Sequence, residues 1–264
     1  MTKIALLADC HISADGPGLD LLKRARELAG DVDRTIIAGD LVDTGSDAEY
    51  AAVLPVVGGG GCDVLPGNHE MIDGDMPRFH RHFERVPRET ELGGVKTLLL
   101  NTALDDIPPE RWYGRLCDGS RAMLRAAVDP ASEEPLIVVV HHPFAGTVRA
   151  APYPMMAQIG DEAERALLAT HGGQVIVFSG HAHRPDLRRA ERVTSIGLPP
   201  VCYWPHAFLK VTIDGGHLSY ETVRVIADPA DSPDPKVAGG ERHLAAAEYR
   251  RDCEPVAPTL TLRL

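Results

Sequence analysis

Six short apolar segments, each ended by polar residues or glycine, recur through the first two-thirds of the chain and constrain its fold more than any other feature. They cover residues 4–8, 35–38, 63–65, 95–100, 136–140 and 175–178. Their length and their lack of polar alternation indicate strands that are buried on both faces. Helical patterns lie between them, at residues 19–28, 46–57, 77–85, 120–128 and 162–170. This alternation predicts an α/β fold.

The last third of the chain has a different pattern. Strand-like segments at 193–196, 208–213 and 218–225 follow one another with no room for helices between them, which predicts a second, largely antiparallel sheet edge. Residues 228–240 are rich in Pro, Asp and Gly, and a short helical stretch at 242–250 follows. We therefore expect one domain over residues 1–226 and a Pro-rich C-terminal extension over residues 227–264.

Charge and cysteine usage narrow the class of protein. The formal net charge is -11, which argues against a nucleic acid polymer as partner, because such binding depends on Lys and Arg neutralising phosphates. The five cysteines are scattered singly, with no pair at the spacing of a zinc site. The sequence shows no apolar run long enough for a signal peptide core or a membrane span. We expect a soluble cytoplasmic protein that does not contact a membrane.

Five polar clusters each lie directly after one of the predicted buried strands. They are Asp-Cys-His at 9–11, Gly-Asp-Leu-Val-Asp at 39–43, Gly-Asn-His-Glu at 67–70, His-His-Pro at 141–143 and Gly-His-Ala-His at 180–183. Open α/β sheets place their sites at these strand ends. In extended backbone, Asp9 and His11 would face the same way, with Cys10 pointing into the packing.

These residue types suit one kind of chemistry. Imidazole and carboxylate groups bind borderline divalent ions such as Mn, Fe or Zn, and one carboxylate can bridge two ions. Such a pair lowers the pKa of a bridging water and stabilises both ends of an in-line displacement at phosphorus. The clusters therefore predict two divalent metal ions and a hydrolytic reaction on a small phosphoester.

The five clusters, in this order, resemble the calcineurin-like metallophosphoesterase superfamily, and in particular its bacterial class III cyclic nucleotide phosphodiesterases and related glycerophosphodiesterases. The resemblance runs from Lys3 to about Ile226. It implies a four-layer α/β/β/α sandwich in which two packed mixed sheets are flanked by helices. It also implies that residues 1–226 are the catalytic domain and that the protein forms a homodimer.

The resemblance assigns a role to each matching residue. It implies that Asp9, His11 and His183 bind one metal and that Asn68, His141 and His181 bind the other. Asp40 would bridge the two ions. His69 matches a histidine that orients the substrate or protonates the departing oxygen, and Asp43 matches the carboxylate that supports it.

Three functions remain open on the sequence alone. The leading hypothesis is hydrolysis of a phosphodiester, for example a cyclic nucleotide, by metal-bound hydroxide. The second is a phosphomonoesterase or a nucleotide pyrophosphatase on the same two metals, because pocket loops rather than the fold select the substrate. The third is a non-catalytic scaffold, although the ligand pattern shows none of the degeneration expected of one.

Several other residues have competing interpretations. His142 is an alternative to His141 as a ligand, and His141 is preferred because it follows the strand directly. His206 and Trp204 are interpreted either as pocket residues, with the indole stacking on a base, or as ordinary loop filling. Cys10 is expected to be a buried thiol. The remaining histidines are expected to be solvated surface groups: His80, His82, His171, His217 and His243.

Overall fold

The computed structural model describes residues 1–14, 16–108, 111–148, 156–233, 257 and 259–264. Five α-helices are present in the described residues: α1 (Gly18–Ala29), α2 (Asp47–Val57), α3 (Met76–His82), α4 (Asp118–Ala127) and α5 (Glu162–Ala169). Among the same residues, none of the helices has both the length and the apolar content that crossing a membrane requires.

The first sheet consists of β1 (Thr2–Leu7), β2 (Arg34–Ala38), β3 (Cys62–Leu65), β10 (Ala207–Asp214), β11 (His217–Arg224) and β12 (Thr259–Arg263). Its strand order is β12-β11-β10-β1-β2-β3. β1, β2 and β3 pair in parallel, whereas β10, β11 and β12 pair antiparallel. The sheet is therefore mixed, with its parallel half formed by the first three buried segments.

The second sheet consists of β4 (Arg88–Leu92), β5 (Val95–Leu99), β6 (Leu136–Val140), β7 (Val175–Ser179), β8 (Asp186–Ala190) and β9 (Val193–Gly197). Its order is β4-β5-β6-β7-β9-β8. The strands β5, β6, β7 and β9 are parallel, and the two edge strands β4 and β8 are antiparallel to their neighbours. All six predicted buried segments are strands.

Three hydrophobic clusters divide the core into layers. The largest contains residues from both sheets, including Ile4, Leu6 and Ile36 from the first and Val139 and Phe178 from the second. A second cluster packs α1 and α2 on the outer face of the first sheet, and a third packs α4 and α5 on the second sheet. The layers are helix, sheet, sheet and helix, as predicted.

The strands after Ala190 do not form one separate sheet edge. β9 joins the second sheet beside β7, whereas β10 and β11 extend the first sheet from β1. Local patterning identifies these segments as strands but contains no information on which sheet receives them, because that depends on long-range pairing. The division at residue 226 stays a prediction, although β12 near the end of the chain pairs with β11.

The start of α2 is defined by a capping box. Ser46 precedes α2, its hydroxyl accepts a hydrogen bond from the backbone N–H of Glu49, and the Glu49 carboxylate accepts one from the backbone N–H of Ser46. This reciprocal capping box satisfies two backbone donors that the helix cannot use itself. It fixes the point at which the chain leaves the loop that carries Asp40 and Asp43.

Candidate metal centre

The five polar clusters meet at the carboxyl ends of β1, β2, β3, β6 and β7. Parallel strands bring these ends to one edge of each sheet, and the two sheets pack with these edges adjacent. The side chains predicted as metal ligands are buried there, with exposures from 0% for Asp9 and His141 to 8% for His11. His183 alone is partly exposed.

The first group of ligand atoms belongs to Asp9, His11, Asp40 and His183, whose atoms lie within 4.8 Å of one another. The Nε2 atoms of His11 and His183 are 3.0 Å apart, and His183 Nε2 is 3.4 Å from the Asp9 carboxylate. The convergence of buried carboxylates and imidazoles matches the donor set that a borderline divalent ion takes.

The second group forms around His141. Its Nε2 lies 3.2 Å from the amide oxygen of Asn68 and 3.2 Å from Asp40 Oδ2. His141 Nδ1 is 2.8 Å from the carbonyl oxygen of Ala38. A carbonyl only accepts hydrogen bonds, so Nδ1 carries the hydrogen and Nε2 is the atom directed at the cluster. The ring centroid of His181 is 5.1 Å from that of His141.

Asp40 lies between the two groups. Its Oδ2 is 3.7 Å from His11 Nε2 on one side and 3.2 Å from His141 Nε2 on the other. Its Oδ1 accepts a hydrogen bond of 3.0 Å from the backbone N–H of His69. The Asp40 carboxylate therefore lies next to both groups of ligand atoms.

Electrostatics favour cation binding at this cluster. Burial alone would raise the pKa of Asp40, but His141 outweighs it and holds the pKa well below the usual value. Burial also opposes ionisation of Asp9, and His183 lowers its pKa. Among the described residues, only histidines form ion pairs with these two carboxylates. Two buried anions without a Lys or Arg partner fit a site for positive ions.

The backbone at the cluster is unusual. Five of the seven predicted ligands adopt positive φ: Asp9, His11, Asp40, His181 and His183, at 55°, 42°, 51°, 66° and 50°. Such values are rare outside glycine and are concentrated at functional sites. The extended conformation expected for Asp9 and His11 is therefore wrong, because a left-handed turn, not strand alternation, directs both side chains to the cluster. Cys10 between them is fully buried in the core, as expected.

Glu70 is a residue whose role the sequence did not indicate. Its buried carboxylate accepts hydrogen bonds from the backbone N–H groups of Asp40, Val42 and Gly67, at 3.1, 3.0 and 2.6 Å. Burial and the nearby Asp40 raise its pKa to about 7. Glu70 thus joins the loop after β2 to the loop after β3 and fixes the positions of Asp40 and Asn68 relative to each other.

His69 and Asp43 lie at the outer side of the cluster. The rings of His69 and His11 are in edge contact, with centroids 4.2 Å apart. His69 Nδ1 is 2.7 Å from the backbone carbonyl oxygen of Asp43 and 3.4 Å from its carboxylate. Burial lowers the pKa of His69, but Asp40 and the Asp43 carbonyl raise it above the ordinary value.

His142 is also part of the cluster, although it was the less favoured ligand. The nitrogens of His141, His142 and His181 lie within 4.8 Å of one another. The ring of His142 is fully buried, and its Nδ1 is 2.9 Å from the Thr102 hydroxyl. Burial, together with His181, holds its pKa well below the usual value. The neutral imidazole of His142 therefore packs against the ring of His181.

Other sequence interpretations have mixed outcomes. Trp204 is only 2% exposed, so it fills the loop and offers no stacking surface. His206 is fully buried between the carbonyl of Val201 and the hydroxyl of Ser232. His171 was expected at the surface but is 4% exposed, because both ring nitrogens bond to backbone groups. His217 is exposed, His80 and His82 are half-buried, and His243 lies outside the described residues.

A family model described as calcineurin-like phosphoesterase matches residues 2–185. The chain belongs to the calcineurin-like phosphoesterase family. This membership covers all five clusters and confirms the resemblance predicted from them.

Two curated relatives align with most of the chain. A 3′,5′-cyclic-nucleotide phosphodiesterase of Nostoc sp. is 24% identical over 201 residues, which is 73% of this chain and 71% of that protein. The glycerophosphodiester phosphodiesterase GpdQ of Enterobacter lignolyticus is 25% identical over 200 residues, covering 71% of this chain and 69% of the other.

Solved structures agree with the fold. A dimetal phosphatase from Danio rerio superposes with a TM-score of 0.70 at 16% identity, over 86% of this chain and 97% of that one. A purple acid phosphatase from yellow lupin superposes with a TM-score of 0.62 at 14% identity, over 99% of this chain and 53% of the other. At these identities the likeness concerns the fold alone, and it confirms the predicted fold class.

Proposed function

We propose that the chain is a dinuclear metal-dependent phosphodiesterase. The observation that carries the proposal is the position of Asp40 between two groups of buried ligand atoms, 3.7 Å from His11 Nε2 and 3.2 Å from His141 Nε2. Asp9, His11 and His183 would hold one ion, Asn68, His141 and His181 the other, and Asp40 both. Mn, Fe and Zn all suit this donor set.

Two bound divalent ions would supply positive charge to the phosphoryl oxygens and lower the pKa of a coordinated water. The residues of the chain determine the ligand charge at each ion and the exclusion of water from the site. Asn68 offers a neutral carbonyl ligand, which leaves its ion more electrophilic than a third carboxylate would. Burial of the cluster excludes bulk water and strengthens each electrostatic contact.

His69 is proposed as the proton donor to the departing oxygen. The Asp43 carbonyl accepts a hydrogen bond from Nδ1, so the exchangeable proton sits on Nε2. The side chain is 21% exposed, at the open side of the cluster, where a substrate oxygen can approach. Its raised pKa keeps more of the imidazole protonated near neutral pH. Asp43 is proposed to support this protonated form.

A phosphodiester is proposed as substrate because both curated relatives carry phosphodiesterase names. The four described free cysteines support the cytoplasmic location predicted from the sequence. Homodimerisation stays a prediction.

The test is a substrate panel on metal-loaded protein that was purified without chelator. We expect higher kcat/KM for bis(p-nitrophenyl) phosphate, cyclic AMP or a glycerophosphodiester than for p-nitrophenyl phosphate. His69→Ala should lower kcat about 10²- to 10⁴-fold for an alkoxide leaving group, and less for p-nitrophenolate, which needs little protonation. The exposed His217→Ala is the matched control. Hydrolysis of no diester, or a strong preference for the monoester, would overturn the proposal.

A further inference from the structure

A pocket of about 380 Å³ lies on the outer face of the second sheet, beside α5. Its apolar lining includes Phe144, Leu168, Ala169, Val177 and Val193. None of the residues proposed to bind metal or substrate is among the described residues that line it. Small-molecule pockets in proteins occupy about 300–1,000 Å³. The pocket is therefore large enough for a small ligand and is formed by residues that the metal centre does not use.

The pocket exists because the outer helical layer does not extend over β9. Helices α4 and α5 pack on residues of β5, β6 and β7, for example Leu98, Val138 and Val177, whereas β9 is represented in this cluster by the partly buried Val193. The outer side of β7 and β9 is thus left open next to α5, and its valines form the floor of the pocket.

Hydrogen bonds fix the wall that residues 144–147 provide. The buried carboxylate of Asp161 accepts a hydrogen bond of 2.6 Å from the backbone N–H of Ala145 and one of 3.0 Å from Nε of Arg165 on α5. Within the segment, the carbonyl of the first residue accepts two further hydrogen bonds from the last residue. The segment and the helix are therefore joined, and the pocket between them is preformed.

Ser195 is a polar lining residue that lacks a partner. It belongs to β9, lines the pocket and is only 4% exposed. Its hydroxyl makes no hydrogen bond to any residue that the structure describes. Buried hydroxyl groups are normally hydrogen-bonded, because an unpaired one loses its contacts with water without compensation. A ligand in the pocket would supply the missing partner.

The charged groups at the pocket favour an uncharged ligand. Arg165 and Glu191 line it with opposite charges, and Arg165 forms an ion pair of 3.0 Å with the buried Asp161. No single sign of charge therefore dominates the lining that the structure describes. Beside Ser195 the surface is apolar, because its register partner on β7 is Val177. A charged ligand would lose its hydration there without gaining a partner.

We propose that this pocket binds a small, uncharged and mainly apolar molecule that forms one hydrogen bond with Ser195. Contact with side chains such as Phe144 and Leu168 removes apolar surface of the ligand from water, and Ser195 fixes its orientation. The inference goes beyond the proposed function and does not depend on it, since binding here needs no reaction at the metal centre. Binding measurements therefore test it separately from activity.

The first test is calorimetric titration of the full, metal-loaded chain with indole, which is uncharged and has an apolar body and one N–H group. We expect indole to bind the wild type, and to bind Ala169→Trp about tenfold more weakly or less, because the new side chain fills the pocket from α5. Ala166→Trp, at an exposed position of the same helix, is the matched control and should bind indole as the wild type does. No binding of indole to the wild type, or binding that is unchanged in Ala169→Trp, would refute the proposal.

The second test concerns the hydrogen bond to Ser195. Ser195→Ala removes the hydroxyl with little change in volume, so folding should be preserved. We expect the affinity for indole to fall about three- to tenfold, as for one net hydrogen bond, and the affinity for 1-methylindole, which lacks the N–H, to stay unchanged. Ser219→Ala, in the first sheet, is the matched control and should alter neither affinity. Equal losses for both molecules, or no loss for indole, would contradict the role of Ser195. Indole-3-acetate that binds as tightly as indole would contradict the uncharged ligand class.

Discussion

His69 is held by the main chain of Asp43 more closely than by its carboxylate, at 2.7 Å against 3.4 Å. The sequence pattern predicted a supporting carboxylate and could not distinguish these two contacts, because a backbone carbonyl is present in every residue. The Asp43 carboxylate is also 3.6 Å from His11 Nδ1. We therefore infer that the Asp43 carbonyl orients the His69 ring, whereas the Asp43 carboxylate raises the pKa of His69 through its charge.

Asp43→Asn tests this division. The backbone bond to His69 remains, so kcat at neutral pH should fall less than about tenfold. Loss of the negative charge should lower the pKa of His69, because Asp43 is one of the groups that raise it. The proton donor is then lost at lower pH, and the basic limb of the pH–kcat profile should move to lower pH. A profile that moves to higher pH, or does not move, would contradict the assignment.

Metal binding should release a proton from His141 but not from His181. Burial lowers the pKa of His141, but the effect of Asp40 is larger and raises this pKa to about 9. Burial and the neighbouring His141 lower the pKa of His181 to about 3. A proton must leave His141 before its Nε2 can bind an ion, so metal affinity should rise with pH up to about 9 and then level off. Calorimetry in buffers of different ionisation enthalpy should detect about one proton released per chain from His141 near pH 7. Metal affinity that is constant between about pH 7 and 9 would contradict this.

At the scale of elements, the turns after the strands determine how closely the ligands can approach one another. Gly67, after β3, has no room for a side chain, since a Cβ would lie 2.1 Å from Asp40 Oδ1 and 2.7 Å from His141 Nε2. Gly39, after β2, has φ of 90° and faces the His141 ring equally closely. These glycines allow strands from different sheets to bring their ligands together.

Gly67→Ala should therefore reduce metal content without removing a ligand. We expect loss of at least one ion per chain and a cost of about 1–3 kcal/mol in the free energy of unfolding, from overpacking. Elemental analysis and urea unfolding measure the two effects. Gly59→Ala is the matched control, because nothing lies within 4 Å of its added Cβ and it should retain both ions. Normal metal content in Gly67→Ala would show that the cluster tolerates displacement of Asp40 and His141.

Most elements were predictable because their patterns are local. The buried strands and all five α-helices follow from apolar runs and helical periodicity, although α3 ends at His82, three residues before the predicted end at residue 85. Three strands were missed, β4, β8 and β12. β4 and β8 are edge strands with polar exposed positions, which resemble loops in sequence. β12 follows a Pro-rich stretch and is defined by pairing with β11 rather than by its own composition.

At the scale of the whole molecule, the sequence predicted which residues converge but not how the backbone achieves it. The ligand types and their order after strands sufficed to identify Asp9, Asp40 and the histidines as a candidate cluster. The left-handed turns at the ligands and the contacts of Glu70 depend on how the loops after the strands pack together.

The last strand of the chain, β12, takes part in the packing between the two sheets. Leu262 of β12 is 9% exposed and packs in the cluster between the sheets, with Leu260 and Leu264 beside it. The predicted extension thus contributes its last strand to the first sheet. Residues 234–256, where the short helical stretch was predicted, lie outside the described residues.

The most direct measurement is a titration of metal-free protein with Mn²⁺ while hydrolysis of bis(p-nitrophenyl) phosphate is recorded against bound metal per chain. Because both ligand groups share Asp40, activity should stay low after the first equivalent and reach its maximum with the second. Full activity in metal-free protein, or no activity with two ions bound, would contradict a dinuclear phosphodiesterase.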